Sequence, residues 1–312
     1  MVRPAAQVGE RSAAPASINL DAFSTTDWLL LSAIAATWGS SFVWIDIALE
    51  AFAPTFITLV RVVFGTATLV FFRKARAPVE RRDMGSIVVL GIVWMAAPFL
   101  LFPIAQQWID SSLAGMINGS MPIFAGVVAA ILHRRWPPAK TMLGIMVGFA
   151  GVVAVSWPAL QGSRATVVGV LLVLGATACY GVAVNIAVPL QHRYGSLPVL
   201  LRAQLVALVL VLVPGVFGAT DSSFDWAGLA AMIPLGCLGT ALAFVWMATL
   251  VGRVGAARGS ITIYFVPVVA IVLGAAFREE SIAVISLLGT ALVITGAFLA
   301  SRTQVAPRYQ RR

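Results

Sequence analysis

Two stretches of this sequence nearly repeat each other, and together they decide the fold. Residues 112–135 read SLAGMINGSMPIFAGVVAAILHRR, and residues 256–280 read AARGSITIYFVPVVAIVLGAAFREE. An offset of 145 residues pairs prolines and glycines of the two halves: Pro122 with Pro267, Gly144 with Gly289, and Gly151 with Gly296. At an offset of 142, GATACYGVAVNIAV (175–188) matches AIAATWGSSFVWID (33–46). Shared apolar composition alone explains such coincidences poorly, so we interpret them as an internal repeat.

The composition is that of a membrane protein. Hydrophobic residues make up 60% and charged residues 11% of the 312 positions, and the mean hydropathy is +0.96. Soluble domains carry about 25% charged residues, so lipid is the expected solvent. The net charge of +9 does not indicate nucleic acid, because the charges fall in short clusters between apolar runs. Cys179 and Cys237 lie inside apolar runs without a partner motif, so we expect packed thiols and no metal or other cofactor.

Ten apolar segments divide the chain, and each is long enough to cross a hydrocarbon core of about 30 Å as a helix. The segments are 28–49, 54–72, 84–107, 111–132, 140–157, 166–188, 198–217, 226–250, 256–277 and 281–301. We therefore predict an all-α integral membrane fold with ten transmembrane helices. Residues 1–27 are predicted to form a disordered cytoplasmic tail, and residues 302–312 a basic cytoplasmic tail.

The positive charges predict an orientation in the membrane. With the N-terminus in the cytoplasm, 17 of the 21 Lys and Arg residues lie inside: Arg3, Arg11, Arg73, Lys74, Arg76, Arg81, Arg82, Arg134, Arg135, Lys140, Arg193, Arg253, Arg258, Arg302, Arg308, Arg311 and Arg312. Arg164 and Arg278 fall outside, while Arg61 and Arg202 lie within helices. This asymmetry predicts a multi-pass protein of the inner membrane with both termini cytoplasmic.

Five segments in each half is an odd number, so the second half must cross the membrane in the opposite sense. We therefore predict two inverted five-helix repeats, 28–157 and 166–301. The turn HRRWPPAK (133–140) is strongly basic, whereas its repeat partner REES (278–281) is net acidic, as expected if the two face opposite sides. Inverted repeats are typical of secondary transporters, in which the site lies near the bilayer midplane between the halves.

The chain resembles a known family of membrane carriers. The features that carry the resemblance are WGSSF in the first helix, the Pro54-x6-Arg61 spacing in the second, and the glycine pairs that follow helices 4 and 9. They are similar to the EamA family of the drug/metabolite transporter superfamily, over residues 28–301. Members of that family often carry a Glu nine residues before the first glycine of each pair. In this sequence Glu280 occupies that position before Gly289, whereas Arg135 stands there before Gly144. The resemblance implies a cytoplasmic-membrane carrier that exports amino acids or related small metabolites by alternating access.

Arg61 is the principal candidate for substrate binding. It is the eighth residue of the second segment, so it lies about 10 Å below the outer end of that helix. A charge at that depth costs about 2.5–3.5 kcal/mol and must face a cavity or a partner. Two interpretations stay open: Arg61 binds a substrate carboxylate through its bidentate fork, or it forms a structural pair with Asp46.

Further candidates come from polar, aromatic and proline residues within the segments. The predicted substrate-binding set is Arg61, Trp38, Asn118, Tyr180, Asn185 and Tyr264. The aromatic members would wall a cavity, while the asparagines either contact the ligand or hydrogen-bond between helices. Pro122 and Pro267 are predicted to kink helices 4 and 9, as hinges or as static bends.

Three other functions compete with an exporter. An uptake permease and a channel-like facilitator would use the same spans, although no filter sequence or charged ring is visible. An intramembrane enzyme is disfavoured, because His133 and His192 both lie in loops and no hydrolase motif is present. We therefore predict that the chain is not an enzyme. Its expected partners are a small-molecule substrate and the lipid bilayer, with a homodimer left open.

Overall fold

The computed structural model describes residues 23–134 and 136–301. Within these ranges the chain is helical and contains no strand. The first helices are α1 (Thr25–Leu49), α2 (Pro54–Val70), α3 (Arg81–Ala105), α4 (Ser111–Leu132) and α5 (Ala139–Leu160). They are followed by α6 (Arg164–Tyr194), α7 (Ser196–Thr220), α8 (Trp226–Val254), α9 (Thr262–Arg278) and α10 (Val284–Ser301).

Seven of these helices are long and apolar enough to cross a membrane, and α2, α9 and α10 are shorter apolar helices within the described residues. The described chain is thus a multi-pass helical bundle. Helix α1 begins at Thr25, three residues before the predicted start, because Ser24 and Asp27 form a capping box at its N-terminus. Asp27 also pairs with Arg253 at the end of α8. The rest of the predicted tail, residues 1–22, and the predicted tail 302–312 lie outside the described residues.

Irregular backbone occurs at corresponding places in the two halves. Helix α3 contains a π-helical segment at Gly91–Ala96, and α8 contains one at Pro234–Leu242. Helices α4 and α9 both end on a left-handed residue, Arg134 (φ 49°) and Glu279 (φ 54°), and these two positions are 145 residues apart. Matching π-helical segments and matching left-handed residues are not expected of unrelated helices, so they favour a relation between the two halves.

The two predicted proline kinks differ in structure. Helix α4 is interrupted at Gly119–Ser120, so that Pro122 lies in the first turn of its second part, Met121–His133, where its missing N–H costs nothing. Pro267 lies inside the continuous helix α9. The predicted segment 256–277 is also interrupted, because a short turn of helix, Ala256–Gly259, precedes α9. Helix α4 is therefore interrupted just before Pro122, and the predicted kink at Pro122 itself is not formed.

Helices α5 and α10 form the closest contact in the bundle through their glycines. A Cβ placed on Gly144 would lie 2.7 Å from the Gly296 carbonyl oxygen, and a Cβ placed on Gly151 would lie 2.7 Å from the Gly289 carbonyl oxygen. The repeat offset pairs Gly144 with Gly289 and Gly151 with Gly296. Replacing each glycine by its repeat partner therefore converts the Gly144–Gly296 contact into the Gly151–Gly289 contact. Small residues allow this approach of two backbones.

Two further glycine contacts obey the same exchange. A Cβ on Gly39 of α1 would meet Val269 of α9 at 2.5 Å, and a Cβ on Gly181 of α6 would meet Phe124 of α4 at 2.7 Å. Because the offsets pair Gly39 with Gly181 and Phe124 with Val269, the α1–α9 contact corresponds to the α6–α4 contact.

The α2–α8 contact has a counterpart between α7 and α3. A Cβ on Gly236 would lie 2.5 Å from the Phe64 Cβ and 3.0 Å from the Arg61 carbonyl oxygen. A Cβ on Gly91 would lie 2.5 Å from Val206 Cγ1 and 2.9 Å from the Ala203 carbonyl oxygen. In this correspondence, Ala203 occupies the position of Arg61.

The two ends of the bundle differ in charge. The end at which α1 finishes, here called the acidic end, carries, among the described residues, seven acids and two cations: Asp46, Glu50, Asp110, Asp221, Asp225, Glu279 and Glu280, with Arg164 and Arg278. Its loops are joined by a hydrogen bond from the Ser223 N–H to the Ala51 carbonyl. The opposite end, here called the basic end, carries Arg73, Lys74, Arg76, Arg81, Arg82, Arg134, Lys140, Arg193, Arg253 and Arg258. A cavity between the helices could open at either of these two ends.

The glycine contact between α5 and α10 can be tested by substitution. We expect Gly151→Ala to lower the free energy of unfolding by about 1–3 kcal/mol, because the new methyl group would meet backbone atoms that have no room to move. Gly252→Ala is the matched control, since no atom lies within 4 Å of its added Cβ. Denaturant unfolding in detergent micelles measures both, and an equal effect of the two substitutions would contradict this packing.

Candidate functional site

A cavity of about 300 Å³ lies between the two halves of the bundle. Its deep part is formed by Arg61, Phe99 and Phe102, and it reaches the basic end near Gln191 and Ser260. Aromatic side chains form much of its wall: Trp38, Phe42, Trp94, Phe99, Phe102, Tyr180 and Phe244. An apolar wall with few polar groups is typical of a small-molecule binding site.

Arg61 is buried at the deep part of the cavity, with 6% of its surface exposed. Its Nε donates a hydrogen bond to Thr240 Oγ1 at 2.9 Å, and its Cζ lies 3.8 Å from the centre of the Phe99 ring. Within the described residues, its two terminal amino groups donate to no protein acceptor and no carboxylate pairs with it. The guanidinium is thus held on one edge and one face, while its other donors remain available.

A buried polar network holds the partner of Arg61 in place. Thr240 Oγ1 donates to the Leu235 carbonyl at 3.0 Å, five residues earlier, as the wider π-helical turn permits. Gln204 of α7 donates to the Thr240 carbonyl at 2.7 Å and accepts from Thr66 at 3.3 Å. The network joins α2, α7 and α8, so the irregular turn in α8 positions the acceptor for Arg61.

The alternative pairing of Arg61 with Asp46 is wrong. Asp46 forms an ion pair with Arg278 of α9, which also contacts Glu50 at 2.7 Å. These residues lie at the acidic end, where Arg278 crosses from α9 to α1. Arg61 is therefore left without this counter-ion.

Three other predicted residues line the cavity with Arg61. Trp38 donates from Nε1 to the Gly239 carbonyl at 3.1 Å and packs edge-on against Phe244. Tyr180 packs against Phe102, with ring centres 6.0 Å apart. Asn118 lines the wall where α4 is interrupted, and its Oδ1 is buried without a hydrogen-bond partner in the described structure.

Asn185 and Tyr264 lie outside the cavity wall. Asn185 donates to the carbonyls of Ala125 at 3.0 Å and Gly181 at 2.9 Å, which is the interhelical role considered above. The Tyr264 hydroxyl donates to the Ala297 carbonyl at 3.2 Å, so it joins α9 to α10. Both side chains therefore serve helix packing in this conformation.

The most informative residues that the sequence did not indicate are Thr240 and Phe99. Neither carries a charge or a motif, and both approach Arg61 only because α3 and α8 pack against α2. The PLGCLGTAL segment offers one signal, since Pro234 at its start and two nearby glycines favour an irregular turn.

Polar contacts join helices of the two halves at the acidic end. Besides the ion pairs of Arg278, the Glu280 carboxylate accepts hydrogen bonds from the Ser111 and Ser112 backbone N–H groups at 2.9 Å. It also accepts from the Ser111 hydroxyl at 2.6 Å. A carboxylate at a helix N-terminus is stabilised by the helix dipole, so Glu280 caps α4 from the other half of the bundle.

Known proteins similar to this chain are transporters. The model of the EamA-like transporter family matches residues 26–157 and again residues 167–302. An uncharacterized transporter of Archaeoglobus fulgidus is 23% identical, over 88% of this chain and 98% of its own length. A protein of Streptantibioticus cattleyicolor named "Probable terminal-alkyne amino-acid exporter" is 26% identical, over 90% of this chain and 95% of its own length.

Two further similarities complete this comparison. A protein of Escherichia coli named "Probable amino-acid metabolite efflux pump" is 21% identical, over 88% of this chain and 95% of its own length. A solved crystal structure superposes with a TM-score of 0.60 at 17% sequence identity, covering 89% of this chain and 98% of that chain. The structural likeness indicates a shared fold.

The support that Thr240 gives to Arg61 can be measured without a ligand. We expect Thr240→Val to lower the free energy of unfolding by about 1.5–3 kcal/mol, because Arg61 loses a buried acceptor to a charged donor. Thr249→Val is the matched control in the same helix, since the Thr249 hydroxyl is exposed and bonds only the Val245 carbonyl. Equal unfolding energies for the two variants would contradict the assigned network.

Proposed function

Because the chain belongs to the EamA-like transporter family, we propose that it is a secondary transporter that exports small carboxylate-bearing metabolites, such as amino acids or related compounds. The observation that carries the proposal is Arg61, a buried cation whose terminal donors face a largely apolar cavity. Arginine is suited to this task, because its planar fork matches a carboxylate bidentately. The export direction is proposed from two relatives, one named as an exporter and one named as an efflux pump.

We propose that the protein lies in the cell membrane with its basic end and both termini on the cytoplasmic side. The cavity reaches the basic end, while Arg278 and Glu280 hold the acidic end closed. In this orientation the cavity faces the cytoplasm, which is the side from which an exporter takes its substrate.

The proposed architecture is ten transmembrane helices in two inverted repeats. The exchange of glycine contacts between α5 and α10 supports it, as do the paired α1–α9 and α6–α4 contacts. The π-helical segments of α3 and α8 support it as well. In carriers built from inverted repeats, alternating access is largely a rigid-body movement of one repeat against the other around the binding site.

Transport by alternating access requires that the acidic end opens as the basic end closes. The groups that would separate are Arg278 from Asp46 and Glu50, and Glu280 from Ser111. The break in α4 before Pro122, and Pro267 inside α9, are the proposed hinges. They support this role because the break interrupts α4, which carries Ser111, and Pro267 removes a backbone hydrogen bond within α9, which carries Arg278.

The cavity favours a substrate with an apolar body. Phe102, Trp94 and Phe244 offer aromatic surface, and the volume of about 300 Å³ suits a metabolite of amino-acid size. The carboxylate of such a compound would bind Arg61, and its body would lie along the aromatic wall.

The role of Arg61 is tested by efflux. In cells that overproduce the protein, we expect Arg61→Gln to reduce export of carboxylate metabolites into the medium at least tenfold, with membrane abundance unchanged. Arg202→Gln is the matched control, because Arg202 lies near the basic end of α7 and bonds only backbone carbonyls. Unchanged export in the Arg61→Gln variant would contradict the proposal.

The closing contacts are tested by labelling from outside the cell. We expect Arg278→Gln to raise severalfold the reaction of an Ile45→Cys probe with a membrane-impermeant maleimide, because Ile45 lines the cavity and the ion pairs to α1 are lost. Cys179 and Cys237 are replaced by alanine in all variants. Arg164→Gln, the substitution of another arginine at the acidic end, should leave labelling unchanged; equal labelling of both variants would show that Arg278 does not hold this end closed.

A further inference from the structure

The charge of the cavity narrows the substrate class. Among the described lining residues, Arg61 is the only one with a full charge, and no carboxylate contributes to the wall. Asp46 and Glu50 are the acids nearest to this part of α1, and both are engaged by Arg278. The cavity therefore presents one positive charge without a negative counterpart.

We propose that this cavity selects organic monoanions, in which a carboxylate is the only charged group, and that their export moves net negative charge out of the cell. The inference rests on the proposed function, because it concerns the same Arg61 site, and it restricts the carboxylate-bearing metabolites proposed there to those without an ammonium group. It separates such compounds from zwitterionic amino acids, which carry an ammonium next to the carboxylate, and from dianions.

An ammonium group beside the bound carboxylate would lack a counter-charge. It would lie close to the Arg61 guanidinium, and repulsion between like charges is strong where water is excluded. Phe99, the ring nearest to Arg61, already has its face against the guanidinium at 3.8 Å. The Gly239 carbonyl at the wall already accepts from Trp38, and the Asn118 Oδ1, an acceptor there without a hydrogen-bond partner in the described structure, is neutral and supplies no counter-charge. A hydroxyl or a keto group at the same position carries no such penalty.

A second carboxylate would also lack a partner. The glycine contacts that relate the two halves place Ala203 at the position corresponding to Arg61. Ala203 is fully buried and carries no charge. The second half therefore supplies no second cation to the cavity. One negative charge on the substrate is enough to neutralise Arg61.

The charge of the substrate provides the driving force. In a cell with a negative interior, an elementary charge gains about 2.3 kcal/mol per 100 mV on crossing the membrane. A monoanion moved outward by itself would be concentrated outside about 50-fold per 100 mV at equilibrium. This mechanism requires no proton relay through the bundle.

Three matched compounds test the proposal in proteoliposomes that contain the full-length protein. Each has a benzyl group and a carboxylate on one carbon, and the third substituent is a hydroxyl (3-phenyllactate), an ammonium (phenylalanine) or a second carboxylate (benzylmalonate). We expect efflux of radiolabelled 3-phenyllactate at least tenfold faster than that of the other two. A valinomycin-induced potential, negative inside, should accelerate this efflux severalfold, and the opposite potential should slow it. Protein-free liposomes supply the background.

A substitution that adds the missing charge gives a second test. Asn118 lines the cavity, so Asn118→Asp should raise the rate for phenylalanine relative to 3-phenyllactate at least tenfold, because the new carboxylate offers the ammonium a partner. Because the expected result is a gain of phenylalanine transport, it cannot be produced by a variant that fails to fold.

The outcomes separate the inference from the function on which it rests. Faster transport of phenylalanine than of 3-phenyllactate by the unchanged protein, or efflux that ignores the potential, would overturn the inference. If Arg61→Gln then still abolished export, the proposed function would stand. If Arg61→Gln left all transport unchanged, the proposed function would fail as well.

Discussion

The buried guanidinium of Arg61 organises the contacts among α2, α3, α7 and α8 beside the cavity. A buried cation is costly unless its donors are satisfied, and here Thr240 and the Phe99 ring satisfy only one edge and one face. The π-helical turn of α8, held by Gln204, brings Thr240 to that edge. The remaining donors face the cavity, so the fold keeps a positive charge available where an apolar wall would otherwise bind only neutral compounds.

The two halves of the bundle are alike in packing and differ in chemistry. Glycine contacts recur between them, as Gly236 against α2 and Gly91 against α7 illustrate. At the position equivalent to Arg61, however, the second half has Ala203, which is buried. We propose that the related packing of the two halves serves a carrier that alternates between two forms, and that the asymmetric site gives the substrate a single orientation. In the proposed orientation, the charge asymmetry between the two ends likewise distinguishes the two membrane faces.

The sequence predicted the helices and part of the site, because helical spans and repeat offsets depend on local pattern. Trp38, Tyr180 and Tyr264 were predicted to wall a cavity because they are aromatic residues within the spans; the first two line it, whereas Tyr264 joins α9 to α10. The partner of Asp46 was not predicted correctly, because Arg278 is 232 residues away and reaches it only through the packing of α9 on α1. Thr240 was missed because a neutral side chain in an apolar run carries no signal until α8 is packed on α2.

The proposed binding of a substrate carboxylate by Arg61 can be tested with an experimental structure of the protein with bound 3-phenyllactate. We expect the carboxylate oxygens to lie about 2.7–2.9 Å from the terminal nitrogens of Arg61, with the benzyl group against the aromatic wall. A carboxylate bound elsewhere, or Arg61 paired with Asp46 while the ligand occupies the cavity, would contradict this role of Arg61.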